Sequence, residues 1–240
     1  MNDVVMNSLV EKIIESESVG EKELWATPCR SYTFLNPVSY LSARENPRCF
    51  LQMDGIFADG SLLAKAVGLR YGKRIRRRSF DMTSLAGRLF HHAEKHGKSV
   101  YLVGGTRQDI AGAAGVIQSS YPALRIAGSH HGYLWGDEVG LEEVVREIVS
   151  ESPSYVIAGM GVGRQEEFLV MLRQRGYRGV CFTCGGFFSQ LAGGGINYYP
   201  CWVDKANLRF AYRFLKERHT RRRYIDALFK FPLTFIRDAY

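Results

Sequence analysis

Two Asp-Gly pairs stand close together in the sequence, Asp54-Gly55 and Asp59-Gly60, and each offers a carboxylate for general acid or base chemistry. Asp59 follows a short apolar run, so its side chain could lie exposed at the end of a strand and take a proton from a substrate. The simpler explanation is a pair of turns, because Asp-Gly is among the most frequent turn dipeptides. The residue types alone leave both explanations open.

Four short β-rich runs in the middle of the chain are each followed by glycines, which allow a ligand to approach the backbone closely. The runs are Ser99–Val103, Arg125–Ala127, Tyr155–Ala158 and Gly179–Thr183. The glycines are Gly104, Gly105, Gly128, Gly159, Gly161, Gly185 and Gly186. In an open α/β sheet they would all lie at the carboxyl edge, where ligands bind and where helix N-termini favour phosphate.

The elements that must position these residues follow from the alternation of the β-rich runs with helical patterns. Helical periodicity lies near residues 107–119, 138–151 and 165–176, and further helices are predicted over 61–69 and 82–96. Strands that alternate with helices of this length indicate βαβ units. We therefore predict an α/β fold, with a Rossmann-like parallel sheet flanked by helices.

Two other motifs carry weaker signals. The segment Gly159–Gly163 invites comparison with the G-x-G-x-x-G dinucleotide-binding motif, but Arg164 stands in place of its third glycine. Cys181 and Cys184 form a C-x-x-C pair that lacks the second ligand pair of a zinc site and lies in an apolar, strand-like run. We therefore expect buried structural cysteines, and neither a metal nor an organic cofactor.

The chain of 240 residues is 46% hydrophobic and 23% charged, which is typical of a globular protein with its own core. No apolar run reaches the length of about 18 residues that a membrane-spanning helix needs. The first residues are polar and acidic, and they lack the pattern of a secretory signal. The 5 cysteines are odd in number and scattered, so we expect a reducing, cytoplasmic compartment.

The net charge of +8 is distributed unevenly along the chain. Residues 1–24 carry −4, whereas residues 205–240 carry +7 with large apolar residues interleaved, a composition suited to an anionic bilayer. We predict a polar N-terminal arm over 1–24, an α/β core over 25–204, and a basic amphipathic helical appendage over 205–240 that Pro232 interrupts. The residues predicted to associate with the membrane are Arg218, Arg221, Arg222, Arg223, Phe231 and Phe235.

A second basic cluster ends in Arg76-Arg77-Arg78. The isoelectric point of about 9.3 and the run Arg221-Arg222-Arg223 are also typical of nucleic-acid-binding proteins, so such a protein is the alternative function class for this chain. No recognisable RNA- or DNA-binding motif accompanies the charge, and the glycines at the sheet edge would have no role in that class. We therefore expect no nucleic-acid partner.

Several blocks of the sequence, in order from about Tyr32 to Phe235, resemble the WecG/TagA/CpsF family of glycosyltransferases. Each block is short, but together they span most of the chain. The blocks are Asn36-Pro37, Phe57–Gly60, Arg76–Asp81, Tyr101–Gly105, Gly128–Tyr133, Gly159–Glu166, Gly185–Phe188 and Leu208–Leu215. The second of these contains the Ala-Asp-Gly triplet that is characteristic of the family.

The resemblance implies transfer of a sugar from a UDP-sugar to a polyprenyl-diphosphate-linked saccharide, in the biosynthesis of a cell-surface polysaccharide. It implies inversion at the anomeric carbon, a reaction that needs no metal, and a peripheral location on the cytoplasmic face of a bacterial plasma membrane. A homo-oligomer is compatible with the resemblance. Asp59 becomes the implied general base, with Asp54 as the alternative. The implied donor-binding residues are Asn36, Gly104, Gly105, Gly132, Tyr133, Gly159, Gly161, Gln165 and Glu166. The residues implied in binding the acceptor or its phosphates are Arg76, Asp81, Arg209 and Arg213.

The chain departs from the family pattern in two of these blocks. Val162-Gly163-Arg164 stands where the family has Ser-Pro-Lys, so the proline that starts the helix is lost while the basic character stays. Ser79 stands where the family usually has glycine. The alternative within the same fold is therefore a membrane scaffold that has lost catalysis.

Overall fold

A sheet of six parallel strands forms the centre of the computed structural model, which describes residues 2–196, 198, 203, 212, 214, 215 and 221–237. The strands are β1 (Ser31–Leu35), β2 (Gly55–Ala58), β3 (Ser99–Gly104), β4 (Arg125–His130), β5 (Tyr155–Gly159) and β6 (Val180–Thr183). Their order in the sheet is β2-β1-β6-β5-β3-β4. Because every pairing is parallel, the carboxyl ends of all six strands share one edge.

Helices flank this sheet on both faces, which confirms the predicted fold class. Before β3 these are α1 (Asn2–Glu15), α2 (Glu21–Ala26), α3 (Pro37–Glu45), α4 (Arg48–Leu51), α5 (Ser61–Tyr71) and α6 (Leu85–Lys95), with a short 3₁₀ turn at Ser16–Ser18. After β3 they are α7 (Arg107–Ser120), α8 (Glu138–Glu151), α9 (Arg164–Gln174), α10 (Phe187–Gly194) and α11 (Arg221–Arg237).

Burial on both faces explains why the central strands are almost wholly apolar. Every residue of β5 is buried, as is every residue of β3 after Ser99. One face of the sheet packs against α3, α5, α9 and α11, and the other packs against α6, α7 and α10. A ligand can therefore reach the sheet only through the loops at its edges.

The four strands predicted in the middle of the chain are present, as are the helices predicted between them. Strands β1 and β2 lie in residues 30–60, where the sequence shows only short apolar runs and turn signals. These two strands are similar in length to the four predicted runs, but residues 30–60 lack the regular alternation with long helical patterns that identified the others. The position of Gly128 also differs from the prediction. It lies inside β4, against the ring of Tyr101, and not at the end of the strand.

The N-terminal residues do not form a separate polar arm. Leu9, Val10 and Ile13 of α1 are buried in the apolar cluster that covers one face of the sheet. Lys12 reaches past them and donates from Nζ to the carbonyl oxygen of Leu51 at 2.7 Å. Apolar residues three and four positions apart form the inner stripe of this helix, and Glu11 and Glu15 are exposed on its outer face.

Helix α11 differs from the prediction in two ways. It continues through Pro232, an exposed position where the carbonyl that loses its hydrogen bond can meet water. Phe231 and Phe235 are only 1% and 8% exposed, and their rings lie 5.6 and 5.8 Å from that of Tyr40 on α3. These two phenylalanines belong to the core, so the membrane contact predicted for them is wrong.

The opposite face of α11 carries a second apolar stripe, which is exposed. Ile225, Phe229, Leu233 and Ile236 follow one another at helical spacing and are 46%, 69%, 73% and 58% exposed. Lys230 lies between them in the sequence, and arginines stand at both ends of the helix. Among the helices that the structure describes, none combines the length and the apolar character needed to cross a bilayer.

Candidate active site

A cleft of about 920 Å³ opens at the carboxyl edge of the sheet. The loop after each of the six strands contributes to its lining. In the order β1 to β6, the contributing residues are Asn36, Asp59, Gly105, Gly132, Gly161 and Gly185. This volume lies at the upper end of the range for small-molecule sites, so the cleft can hold a ligand larger than a single sugar.

Glycines at the ends of the strands allow the lining loops to converge. A Cβ on Gly104 would collide with the carbonyl oxygen of Gly159, and a Cβ on Gly159 would lie 2.7 Å from that of Gly185. The backbone N–H of Gly105 donates to the carbonyl oxygen of Gly159 at 3.2 Å, and that of Gly132 donates to Gly105 at 2.9 Å. These N–H groups are engaged within the protein, so Gly105 and Gly132 shape the floor of the cleft.

The two candidate carboxylates lie at opposite ends of β2. Asp59 follows the strand and lines the cleft, with its side chain 33% exposed. Asp54 precedes the strand, about 16 Å away at the usual rise per residue. It accepts hydrogen bonds from the backbone N–H of Ser31 at 2.9 Å and from Arg30 and Arg173 at 2.8 and 2.6 Å. Asp54 thus joins elements at the far edge of the sheet, and only Asp59 can meet a ligand in the cleft.

Arg77 places a cation beside Asp59 that sequence analysis did not select. Its Nε lies 4.0 Å from Oδ1 of Asp59, and its Nη2 lies 4.0 Å from Oδ2 of Asp81. The predicted Arg76 faces away from the cleft and donates to the carboxylate and the carbonyl oxygen of Glu17 at 3.0 and 2.6 Å. Arg76 and Arg77 are neighbours of the same type, so only the path of the chain decides which one enters the cleft.

Asp81 lines the cleft, but it is only 8% exposed and is bound to its own loop. It accepts hydrogen bonds from Ser79 Oγ at 2.5 Å and from the backbone N–H and Oγ1 of Thr83 at 3.0 and 2.8 Å. Two anions repel each other, so Asp81 does not suit a contact with the acceptor phosphates, while its contact with the acceptor saccharide stays a prediction. Its distance to Arg77 suits it to orienting that guanidinium.

Gln165 and Glu166 form a buried polar network at the start of α9. Glu166 accepts hydrogen bonds from Thr33 Oγ1 at 2.7 Å, Gln165 Nε2 at 2.9 Å and the N–H of Gly163 at 2.7 Å. Burial raises the pKa of the Glu166 carboxyl, although these hydrogen bonds oppose the shift. Gln165 lines the cleft, and its Oε1 accepts the N–H of Gly185 at 3.2 Å. Glu166 itself is fully buried, so it lies behind Gln165 and does not reach a donor in the cleft.

The rim of the cleft combines residues from distant parts of the chain. Tyr133 is 72% exposed there, in a loop where Nδ1 of His131 accepts the Tyr133 N–H at 3.3 Å. Asn36 caps the N-terminus of α3 with its side-chain oxygen and also lines the cleft. From α11, Arg223 and Leu228 complete the rim. Arg223 was predicted to contact the membrane, and the structure places it at the cleft.

The other basic residues predicted near the C-terminus have different positions. Arg221 donates to the carbonyl oxygens of Phe214 and Leu215, both at 2.8 Å, and Arg222 is exposed. The predicted residues that lie outside the described part of the chain are Arg209, Arg213 and Arg218.

The two cysteines of the C-x-x-C pair lie in different surroundings. Cys181 is buried in β6 as predicted, and burial raises the pKa of its thiol to about 12. Cys184 follows the strand and lines the cleft, where sequence analysis did not place it.

Comparison with known proteins identifies the family to which the chain belongs and several relatives. Residues 1–240 match the model of the Glycosyl transferase WecG/TagA/CpsF family. A Shigella boydii protein named UDP-Gal:alpha-D-GlcNAc-diphosphoundecaprenol beta-1,4-galactosyltransferase is 32% identical over 209 residues, which cover 86% of this chain and 85% of that protein. A protein of Bacillus subtilis (strain 168) named N-acetylglucosaminyldiphosphoundecaprenol N-acetyl-beta-D-mannosaminyltransferase is 27% identical over 61% of this chain and 55% of its own length.

A Staphylococcus aureus (strain MW2) protein with that same mannosaminyltransferase name is 30% identical over 50% of this chain and 45% of its own length. The similarity to the galactosyltransferase thus spans most of both proteins, whereas the similarity to the two mannosaminyltransferases spans about half of each relative. The family model, by contrast, matches the chain over its full length. The chain therefore belongs to the WecG/TagA/CpsF family of glycosyltransferases.

Proposed function

We propose that this glycosyltransferase moves a sugar from a UDP-sugar to a polyprenyl-diphosphate-linked saccharide, with inversion at the anomeric carbon. The name of the Shigella boydii relative supports both substrate classes, because the similarity covers 85% of that protein. The observation that carries the proposal is the carboxylate of Asp59, which is 33% exposed in a cleft of about 920 Å³ and lies 4.0 Å from Arg77.

In the proposed reaction Asp59 is the general base. It takes the proton from an acceptor hydroxyl while the oxygen attacks the anomeric carbon from the side opposite to the leaving group. The bond between the anomeric carbon and the diphosphate breaks as the new glycosidic bond forms, and UDP leaves with the electron pair. Asp59 then releases the proton to water, which restores the carboxylate.

The charge that develops on the leaving diphosphate needs stabilisation by groups already in place. Arg77, Arg164 and Arg223 line the cleft and are suited to this role. Arg164 and Gln165 are also the first residues of α9, so the positive end of that helix dipole faces the cleft. With side chains and a helix N-terminus as counter-charges, we expect transfer to continue in the presence of EDTA.

The lipid-linked acceptor requires the protein to work at a membrane surface, and α11 is suited to that position. Its exposed stripe of Ile225, Phe229, Leu233 and Ile236 is bordered by basic residues, while Arg223 and Leu228 reach the cleft rim. An amphipathic, basic helix of this kind binds the interface of an anionic bilayer. We therefore propose a peripheral location on the cytoplasmic face of a bacterial plasma membrane.

The test is release of UDP by the purified protein from a panel of UDP-sugars, with a short-chain polyprenyl-diphosphate-GlcNAc acceptor and EDTA present. We expect acceptor-dependent release with one donor. Because removal of a general base typically costs 10²–10⁴ in rate, kcat of Asp59→Asn should fall by about that factor without a change in Tm.

Asp54→Asn is the matched control, since it makes the same chemical change at the other end of β2. Its Tm should fall because the side chain loses the negative charge that pairs with Arg30 and Arg173 and one of its two acceptor oxygens, while the folded variant keeps its kcat. Loss of turnover in Asp54→Asn alone would contradict the assignment of Asp59. Binding to vesicles without UDP release from any donor would favour a scaffold that has lost catalysis.

A further inference from the structure

The chain from Ser61 to Arg78 contains seven arginines and lysines and no acidic residue. Three of these cations lie against other parts of the fold. Arg76 is paired with Glu17, Arg77 lines the cleft, and Arg78 lies 4.8 Å over the ring of Phe57. The other four are exposed to solvent, with the guanidinium of Arg70 6.0 Å from the ring of Tyr71, and they are Lys65, Arg70, Lys73 and Arg74.

An apolar side chain stands exposed among these cations. Leu69 is 91% exposed, the largest fraction among the exposed large apolar residues of the described chain, and Tyr71 beside it is 37% exposed. Lys65 precedes Leu69 by four positions, so both lie on one face of α5. Lys73 follows in the turn after the helix, which ends at the left-handed Gly72. An apolar residue with cations on either side of it in the chain is typical of surfaces that enter the headgroup region of a bilayer.

This surface lies on the same side of the molecule as α11. The inner face of α5 buries Leu63 and Val67 in the apolar cluster that also contains Phe231 and Phe235. At the first turn of α5, Leu62 lines the cleft, as Leu228 of α11 does. Helices α5 and α11 therefore flank one side of the cleft mouth, and the cations on α5 itself lie about 5 to 12 Å along the helix from Leu62.

We propose that the α5 surface, defined as Lys65, Leu69, Arg70, Lys73 and Arg74, binds an anionic phospholipid bilayer. It forms a second membrane contact beside α11 and holds the cleft mouth against the lipid that carries the acceptor, so the role rests on the proposed function. Opposite charge supports this occupant, because lipid phosphates complement a segment without acids. A symmetric contact between two copies would bring the same cations together and is disfavoured.

The test measures binding of the full chain to mixed phosphatidylglycerol–phosphatidylcholine vesicles and to pure phosphatidylcholine vesicles by sedimentation. We expect the double variant Lys65→Gln/Lys73→Gln to bind the anionic vesicles about tenfold more weakly or worse, since each cation near such a surface contributes favourably. We expect Leu69→Ser to weaken binding by about tenfold as well, through the lost burial of one leucine side chain.

Two matched variants control for changes elsewhere on the surface. Lys95→Gln/Lys98→Gln removes two exposed lysines at the end of α6, on the opposite face of the sheet. Val139→Ser removes an apolar side chain that is 69% exposed on α8. Both controls should bind vesicles as the wild type does, and every variant should transfer sugar normally to a water-soluble acceptor.

Equal vesicle binding by the wild type and the α5 variants would overturn the proposal. It would also be overturned if the α5 substitutions left vesicle binding intact and abolished binding to RNA or the formation of a dimer. Absence of sugar transfer by the wild type, combined with weaker vesicle binding by the α5 variants, would contradict the proposed function and leave the membrane surface standing.

Discussion

The guanidinium of Arg77 lies 4.0 Å from both Asp59 and Asp81, and this spacing suits it to two tasks. One edge of the planar group can hold the position of Asp59, and the opposite edge can meet a diphosphate oxygen. Asp81, bound by Ser79 and Thr83, supplies the rigid support. The three residues therefore act as a unit in which each depends on the position of the next.

From this geometry we expect Arg77→Lys to lower kcat by about 10²-fold, because an ammonium group cannot span two partners and removal of one charge-stabilising donor has about that effect. Arg76→Lys is the matched control, since it changes the adjacent residue whose guanidinium contacts Glu17 outside the cleft. Steady-state kinetics with the lipid-linked acceptor measure both. An equal loss in the two variants would contradict the assignment of Arg77 to the site.

Glu166 allows a prediction about pH, because burial raises the pKa of its carboxyl in the folded protein. Between its ordinary pKa and the raised one, the folded chain binds more protons at this site than the unfolded chain does. The free energy of unfolding contributed by Glu166 is therefore fully present at low pH and is lost as pH rises through the raised pKa.

Glu166→Gln removes this titration while it keeps the shape of the side chain. We expect the wild type to lose stability relative to Glu166→Gln as pH is raised across that window, measured by urea unfolding at a series of pH values. Glu167→Gln is the control, since it alters the next carboxyl of α9. A difference between wild type and Glu166→Gln that does not change with pH would refute the expectation.

At the scale of single elements, α11 has two apolar faces with different tasks. Phe231 and Phe235 pack on Tyr40, whereas Phe229 and Leu233 face solvent. Removal of the whole helix would expose the face of α3 that contains Tyr40, so a deletion cannot separate membrane binding from folding. Single substitutions on each of the two faces can separate membrane binding from folding.

We expect Phe231→Ala to lower the free energy of unfolding by about 3–5 kcal/mol, the usual cost for a buried phenylalanine. Phe229→Ala should leave stability within about 0.5 kcal/mol and weaken both vesicle binding and transfer to a membrane-bound acceptor. Urea unfolding and vesicle sedimentation on the same two proteins provide the comparison. A loss of stability in Phe229→Ala, together with a loss of vesicle binding in a stable Phe231→Ala, would contradict this assignment of the two faces.

At the scale of the whole molecule, the positive charge is concentrated at residues 205–240, which carry +7, and on the α5 surface. Charges exposed at a membrane surface are screened by salt, whereas those inside a cleft are screened much less. We expect a rise in ionic strength from about 0.05 to 0.5 M to reduce transfer to an acceptor in anionic vesicles far more than transfer to a water-soluble acceptor. Equal sensitivity of both reactions would argue against an electrostatic membrane contact.

The sequence by itself determined the fold class and the family. Alternating β-rich and helical segments indicate a parallel sheet, because parallel strands need a crossover connection, which is usually a helix. Ordered motif blocks such as Phe57–Gly60 and Gly159–Glu166 indicated the family before any geometry was known, and the whole-chain match agrees with them. Strands β1 and β2 were missed because residues 30–60 do not show the alternation of β-rich runs with long helical patterns that identified the other four.

The tertiary structure alone decided which of several equivalent residues reach the cleft. Asp54 and Asp59 are alike in type and context, and the strand between them sends them to opposite edges of the sheet. Arg76 and Arg77 are likewise neighbours of one type, separated only by the direction in which the chain turns. Helix α11 has apolar residues on two faces, so its period cannot show which face meets α3. In each case the local sequence is equally compatible with either residue or face in the site or the core. Contacts between residues far apart in the sequence determine which of them occupies that position.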